Sequence, residues 1–269
     1  DLMKIMAQSD LFGVYLPEEY GGLGGGVMEN CLAIEELGRA CIGVATTYAA
    51  SGLGAYPILL YGSEQQKQEY LPVIASGEKL AAFAVTESGA GSDAGGIQTT
   101  AQRDGDSYLL NGTKQWITNG GEAEIYTVVA ITDRTRGARG ASAFIVEQGD
   151  PGFSYGKKEK KMGIRTSATR ELLFNDCRIP ADRLISREGM GFIVTMKTFD
   201  VSRPGIGALA VKDLLSAAIL FGAYSFMMCL LWAIMGAVDV AFTEASVGAG
   251  ISTVLFVAAV FQTSRRTKD

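Results

Sequence analysis

The apolar positions of this 269-residue chain change period as the sequence is read from the start. Up to about residue 79 they recur at helical spacing, most clearly in "ENCLAIEELGRACIGVATTYAASGLGAYPILLYG". The stretch "GSEQQKQEYLPVIASGE" adds a start signal, with Ser63 as N-cap and Gln66 three residues later as its reciprocal partner. From Leu80 to about Leu184 the apolar segments become short, β-branched and aromatic: "LAAFAVTE", "SYLLNGTKQWIT", "IYTVVAIT", "ASAFIVEQ" and "RELLFND", parted by turn residues. Asn111-Gly112, between two such runs, predicts a tight hairpin because both residues tolerate positive φ. The pattern predicts an α+β chain: a helical domain over 1–79, an antiparallel, β-barrel-like middle domain over 80–188, and the opening of a further helical region over 189–211.

A third change follows. Leu214 to Val238 carry no charge over 25 residues, which as a helix would rise about 37 Å, enough for a bilayer core of about 30 Å. A second uncharged run of 17 residues spans Ala245 to Phe261. Lys212 precedes the first run, and Arg265, Arg266 and Lys268 follow the second, which predicts both ends on the cytoplasmic side. The expectation for 212–269 is a C-terminal transmembrane helical hairpin, in the lipid bilayer through 213–261, beneath a cytoplasmic soluble part. The alternative is two buried helices of a soluble core, although core helices seldom carry uncharged runs of this length.

Composition narrows the chemistry. Mean hydropathy is +0.18, and the apolar excess lies after residue 212. A net charge of -5 argues against a nucleic-acid surface. The run Lys157, Lys158, Lys160, Lys161 reads as a solvated loop. Four cysteines without a C-x-x-C fit reduced thiols in a cytosolic protein. Histidine is absent, so no metal site is expected and acid–base work falls to carboxylates, Lys, Tyr or a cofactor. "YGGLGGG" lacks the order and the flanking strand of a dinucleotide loop. The sequence begins at Asp1 inside what reads as a helix, without a signal peptide, so its start reads as truncated.

The informative segments are "FAVTESGAGSDAGG", 83–96, and "WITNGG", 116–121. Gly89, Gly91 and Ser92 leave backbone N–H groups open to an anion, and Thr86 and Ser92 add hydroxyls. Trp116 offers a flat ring and Thr118 a hydroxyl two residues on, the same face of a strand. These groups suit a flat heterocycle carrying a pyrophosphate. From spacing alone, 88–96 is equally a Gly/Ser turn and Trp116 a core residue.

Residues 2 to about 210 resemble the N-terminal and middle domains of acyl-CoA dehydrogenases, through "LPEEYGG", "AVTESGAGSDAGG", "NGTKQWITNGG", "KKMGIRTSATRELLF" and "FDVSRP" in order. The resemblance implies FAD lined by Phe83, Ala84, Val85, Thr86, Gly91 and Ser92, with Thr86 bonded to the flavin ring. It implies that Trp116, Ile117 and Thr118 flank that ring, Thr118 near its reactive N5 edge. Ser92, Asp200 and Arg203 would meet an acyl-CoA; for the last two the alternative is an i,i+3 surface ion pair. The implied reaction oxidises an acyl thioester to the 2,3-enoyl thioester, and an electron-transfer flavoprotein or similar acceptor takes the electrons. The chain leaves the family pattern near Val211, before the helical domain that in this family supplies a glutamate base and builds the tetramer. No catalytic residue is therefore assigned, and weak FAD binding without appreciable dehydrogenation is expected of this chain alone.

From Lys212 on, "KDLLSAAILFGAYS" and "GAVDVAFTEASVGAGISTVLF" resemble a small membrane subunit of multisubunit sodium/proton antiporters and membrane-bound hydrogenases. That resemblance implies an ion or proton route through Glu244, with Asp239 near its mouth; alternatively both cap the hairpin at the membrane surface. Two partial proteins thus meet near residue 211, as a rearrangement or fusion would leave them. The function is expected to be that of an acyl-CoA dehydrogenase-type flavoprotein, or else of an antiporter subunit with an incidental N-terminal fusion.

Overall fold

The computed structural model describes residues 2–209, and all structural statements below concern them. Five α-helices and eight strands follow in the order α1 (Leu2–Gln8), α2 (Val27–Ala40), α3 (Ile42–Tyr61), α4 (Glu64–Ala75), β1 (Ala81–Ala84), β2 (Thr100–Asp104), β3 (Ser107–Thr118), β4 (Ile125–Ile131), β5 (Ala141–Glu147), β6 (Phe153–Lys158), β7 (Thr169–Pro180), β8 (Leu184–Ile185) and α5 (Gly191–Leu209). Helix α4 starts as its sequence requires. The Gln66 amide donates to Ser63 Oγ at 3.2 Å, and the Ser63 amide donates to Gln66 Oε1 at 3.0 Å. The Gln66 side-chain amide also donates to the carbonyls of Asp182 and Leu184, tying this helix to the strand layer.

The strands form one sheet in the order β6-β7-β3-β2-β4-β5-β8, with β1 added beside β4. It is a mixed sheet rather than the antiparallel one expected. β1 runs parallel to β4 in the register Ala81–Ile125 to Ala84–Val128, and Thr100 of β2 meets Ile131 of β4 in parallel. The reason is topological. The chain leaves β1, makes the glycine-rich loop and the β2–β3 hairpin, and returns along β4, and a parallel neighbour needs such a crossover. No hydrogen bonds join β6 to β8, so the pairing path stays open at these two ends.

Strand β4 is buried on both faces, which explains its nearly unbroken apolar run. Tyr126 and Val128 face a cluster enclosed by the strands with Tyr108, Leu110, Phe144 and Leu172. Ile125 and Val129 face a second cluster shared with the helices. Helix α3 covers that second face, and it is buried on almost every side. Gly54 permits the contact: a Cβ there would lie 2.6 Å from the Ala82 backbone nitrogen. The Ser51 hydroxyl accepts from the Ala81 amide at 3.0 Å, and Thr127 Oγ1 donates to the Gly54 carbonyl at 2.9 Å.

Asn111-Gly112 is not the expected hairpin turn. Both lie inside β3, where the pairing with β7 shifts between Leu110 and Gly112, and the hairpin turns earlier, at positive-φ Gly105. Gly112 has φ +146°, and a Cβ there would sit 2.6 Å from Thr99 Oγ1 and 2.7 Å from Thr99 Cα. Of the pair only Gly112 uses a positive φ, and it does so opposite the extra residue that β7 carries near positive-φ Asp176, not in a turn.

Among the described residues no helix is long and apolar enough to cross a membrane. The expected transmembrane hairpin over 212–269, with Asp239 and Glu244, lies outside the described residues.

Gly112→Ala combines a disfavoured φ with a backbone clash, and should cost about 2–4 kcal/mol of stability, read as a lowered midpoint in thermal unfolding. An unchanged midpoint would mean that the bulge can relax without loss.

Candidate functional site

One cavity of about 230 Å³ opens where α2, α3 and α5 meet β1 and β3. Phe83 and Val85, alternate residues on one face of β1 and just beyond its end, line it, together with Thr86. Ala84 points the other way, into the strand-enclosed cluster. Trp116, Ile117 and Thr118 all line the cavity, although successive residues of a regular strand face opposite sides. The break is local: Trp116 has φ +56°, and the β3–β7 register shifts between Lys114 and Ile117. The bulge sends Lys114 and Ile117 inward and leaves the indole 54% exposed.

The helices supply walls that sequence reasoning missed. Asn30, Thr46, Leu53 and Tyr56 line the cavity from α2 and α3, and Phe199 and Ser202 from α5. Their spacing along each helix carries no signal beyond a buried face; only the approach of α5 identifies them. Phe199 packs edge-on against Phe83, with centroids 5.9 Å apart. Asn30 Nδ2 donates to Tyr56 Oη at 2.9 Å, while the buried Asn30 Oδ1 has no partner.

Gly91 and Ser92 are exposed in the loop after β1 and do not line the cavity. A Cβ at Gly89 or Gly91 would touch nothing, and the amides of Gly91 and Ser92 meet no protein acceptor among the described residues. Asp200 and Arg203 are exposed on α5 and do not pair with each other. Lys197 donates to Asp200 at 3.3 Å, and the Arg203 guanidinium lies 4.9 Å from the centroid of the Phe199 ring. They flank the cavity wall instead of forming it. No carboxylate and no basic side chain lines the cavity among the described residues.

Comparison with known proteins finds the same order of parts. Residues 1–78 match the model described as acyl-CoA dehydrogenase, N-terminal domain, and residues 82–177 the model of the acyl-CoA dehydrogenase middle domain. The solved structure of a glutaryl-coenzyme A dehydrogenase, in complex with glutaryl-CoA, superposes with a TM-score of 0.76 at 32% identity, over 90% of this chain and 67% of that one. The chain belongs to the acyl-CoA dehydrogenase family. The short-chain-specific acyl-CoA dehydrogenase of Clostridium acetobutylicum is 46% identical over 210 residues, 78% of this chain and 55% of that protein. The acyl-CoA dehydrogenase of Bacillus anthracis, complexed with FAD, superposes with a TM-score of 0.75 at 41% identity, over 83% of this chain and 38% of that one. The chain thus spans about half the length of the curated relatives it matches. A third family model, MbhD, matches residues 205–265.

One charged pair is buried at the edge of this cavity. Lys114 Nζ lies 2.8 Å from Glu87 Oε1, with the lysine fully buried and the glutamate 6% exposed. Burial alone would raise the Glu87 pKa. The Lys114 charge and the hydrogen bonds from Lys114, Thr99 and Gln98 outweigh it and hold the carboxyl below its ordinary 4.5. Burial likewise pushes the Lys114 ammonium down to about 8, against the opposing pull of Glu87. Both groups are therefore charged at neutral pH.

The depressed Glu87 value sets a sign. As pH falls, the unfolded chain takes up this proton before the folded one does. The stabilisation is therefore complete above the ordinary carboxylate range and is lost as pH falls through the depressed value. Glu87→Gln should flatten the fall in thermal midpoint as pH drops below the ordinary carboxylate value, relative to the wild type. Parallel curves for the two proteins would count against the assignment.

Proposed function

We propose that residues 1–209 form the cofactor- and thioester-binding part of an FAD-dependent acyl-CoA dehydrogenase. The observation that carries this reading is an uncovered indole beside a cavity with idle hydroxyls. Thr86 and Thr118 line the cavity, and neither side chain makes a hydrogen bond among the described residues. A cavity of 230 Å³ is below the usual range for a whole drug-sized ligand, about 300–1,000 Å³, so it suits the flat head of the cofactor or an acyl chain, not the full dinucleotide. The remainder would run out past Trp116 toward the open amides of Gly91 and Ser92, which suit a phosphate. The residues present fit FAD.

When bound, FAD supplies a hydride acceptor for oxidation of a thioester at its α and β carbons. This chain's own residues bind and orient. Thr86 would offer the flavin a hydrogen bond, Trp116 and Ile117 would flank its ring, and Thr118 would lie near its reactive edge. Phe83, Leu53 and Phe199 would exclude water from an acyl chain. Ser92, Asp200 and Arg203 would meet the CoA portion as it leaves the cavity. An acyl-CoA is the substrate, and an electron-transfer flavoprotein or similar carrier is the partner that takes the electrons. The absence of a lining carboxylate among the described residues implies that they bind the thioester without removing its α-proton.

Purified full-length chain should take up FAD with the visible spectrum of a bound flavin. Thr86→Ala should weaken uptake by up to roughly tenfold, the worth of one hydrogen bond. Butyryl-CoA added without oxygen should leave the flavin colour intact. Rapid bleaching would overturn the assignment of binding without proton abstraction, and failure of the wild type to take up FAD would overturn the site itself.

The match of residues 205–265 to the MbhD model favours a second role for the far end of the chain. We propose that 213–261 lie in the inner membrane, with Glu244 on an ion or proton route and Asp239 near its mouth, while residues before 211 remain in the cytoplasm. The support is the charge-free run from Leu214 to Val238 and the cost of a carboxylate in lipid unless it serves a polar path. Full-length chain should stay with the membrane fraction through an alkaline wash, and chain ended at Leu209 should not. Recovery of both in the supernatant would remove this reading and leave the flavin reading standing.

A further inference from the structure

We infer that Lys114 and Glu87 form a positioning pair that fixes the distance between the Thr86 hydroxyl and the Trp116 indole and closes the base of the glycine-rich loop. The inference rests on the cofactor reading above for its purpose, and on geometry for its existence. Lys114 Nζ donates to Glu87 Oε1 at 2.8 Å and to the Val85 carbonyl at 3.0 Å. The Gln115 amide donates to the Thr86 carbonyl at 2.9 Å. Thr86 is thus pinned on both sides and at its own carbonyl by two successive residues of β3, the second of which precedes Trp116. The same carboxylate holds the far end of the loop: Glu87 Oε2 accepts from the Gln98 amide at 2.6 Å, and Oε1 from the Thr99 amide at 3.0 Å.

The reciprocal Glu87–Ala90 backbone hydrogen bonds, 3.1 Å each, and the Ile131 amide on the Thr99 carbonyl, at 2.8 Å, brace the same base, but none of these ties Thr86 to β3. Ser88, Gly89 and Gly91 to Asp93 are exposed, and a Cβ at Gly89 or Gly91 would meet nothing within 4 Å, so this stretch is held inward by the flanking buried Ala90 and Ile97. Farther along, Arg134 donates to the Gln98 side-chain and backbone oxygens, and Asp93 accepts from the Gly95 amide. These contacts shape the outer loop but do not reach Thr86. Stability is a poor reason for the pair, since a buried ion pair is often matched or bettered by apolar residues of the same volume. A carboxylate can accept two successive amides and an ammonium at once, which an apolar pair cannot. Positioning accounts for its charge.

The double variant Glu87→Gln/Lys114→Met separates positioning from stability, because it removes both charges and leaves no charge buried alone. Either single variant should lower the thermal midpoint more than the double does, and the double should unfold close to the wild type. Despite that, its affinity for FAD should fall at least about tenfold, and the Gln98 and Thr99 amides of the FAD-free protein should exchange hydrogen at least about tenfold faster. Wild-type FAD affinity with wild-type exchange in the double variant would overturn the inference. So would faster exchange with undiminished affinity, because the clasp would then hold the loop without serving the site. Should the wild type take up no FAD, the cofactor reading fails on that result, and exchange at Gln98 and Thr99 still decides whether the pair closes the loop.

Discussion

The left-handed backbone at Trp116 is the constraint on which the site depends. A regular β3 would turn Lys114 and Trp116 to one face and Ile117 to the other. With φ at +56° on a bulky residue, the strand instead buries Lys114 and Ile117 and turns the indole out beside Thr118. Such a conformation costs on the order of 1–3 kcal/mol and persists only when its surroundings over-determine it. Here β7 pairs with β3 on both sides of the irregularity, Lys114 with Leu172 and Ile117 with Arg170. The anchored flanks leave the two residues between them, Gln115 and Trp116, no cheaper path.

The opposite wall is set by helix contacts of equal specificity. Asn119, directly after β3, donates from Nδ2 to the carbonyls of Thr47 in α3 and Ala81 in β1, at 2.9 and 3.2 Å. One buried side chain thereby locks the end of the Trp116 strand to both elements that face it. Because α3 lies against β1 through Gly54, a bulkier residue there would force the helix away and widen the cavity. The site is therefore held by short buried contacts between regular elements, which suits pre-organised binding better than a loop-built pocket does.

Much of this is legible in the residues. Helical periodicity through 79, the Ser63–Gln66 cap and the strands at 107–118, 125–131 and 141–147 stand as their patterns imply. Three strands are not legible, and of these the two-residue β8 is too short to carry any pattern. Only Ala101 of β2 is buried, and no residue of β6 is, so neither shows an apolar alternation. The parallel pairing of β1 with β4 depends on where the chain returns, which no local pattern encodes. Asn111-Gly112 misleads because a dipeptide reports allowed backbone angles, not whether the angles serve a turn or a bulge. Six of the proposed cofactor residues line one cavity, while Gly91 and Ser92 stand outside it, where their amides face solvent. The α2, α3 and α5 contributions are ordinary helix-core residues until the helices are brought together.

The buried pair also bears on what the cavity can do. Among the described residues Glu87 is the one buried carboxylate, and it follows directly on Thr86, so it is the obvious candidate for a proton acceptor. Its surroundings oppose that role. Oε1 already meets Lys114 and the Thr99 amide, and Oε2 the Gln98 amide. These donors hold its pKa below the ordinary carboxylate value, whereas a useful base is raised toward the operating pH by burial without such partners. Taking a proton would break the contacts that close the loop and would leave the Lys114 ammonium buried beside a neutral acid. The same charge that fixes the geometry therefore withholds this carboxylate from acid–base chemistry. On the proposed reading, recognition of the flat cofactor and removal of a substrate proton fall to different groups, and Glu87 serves the first.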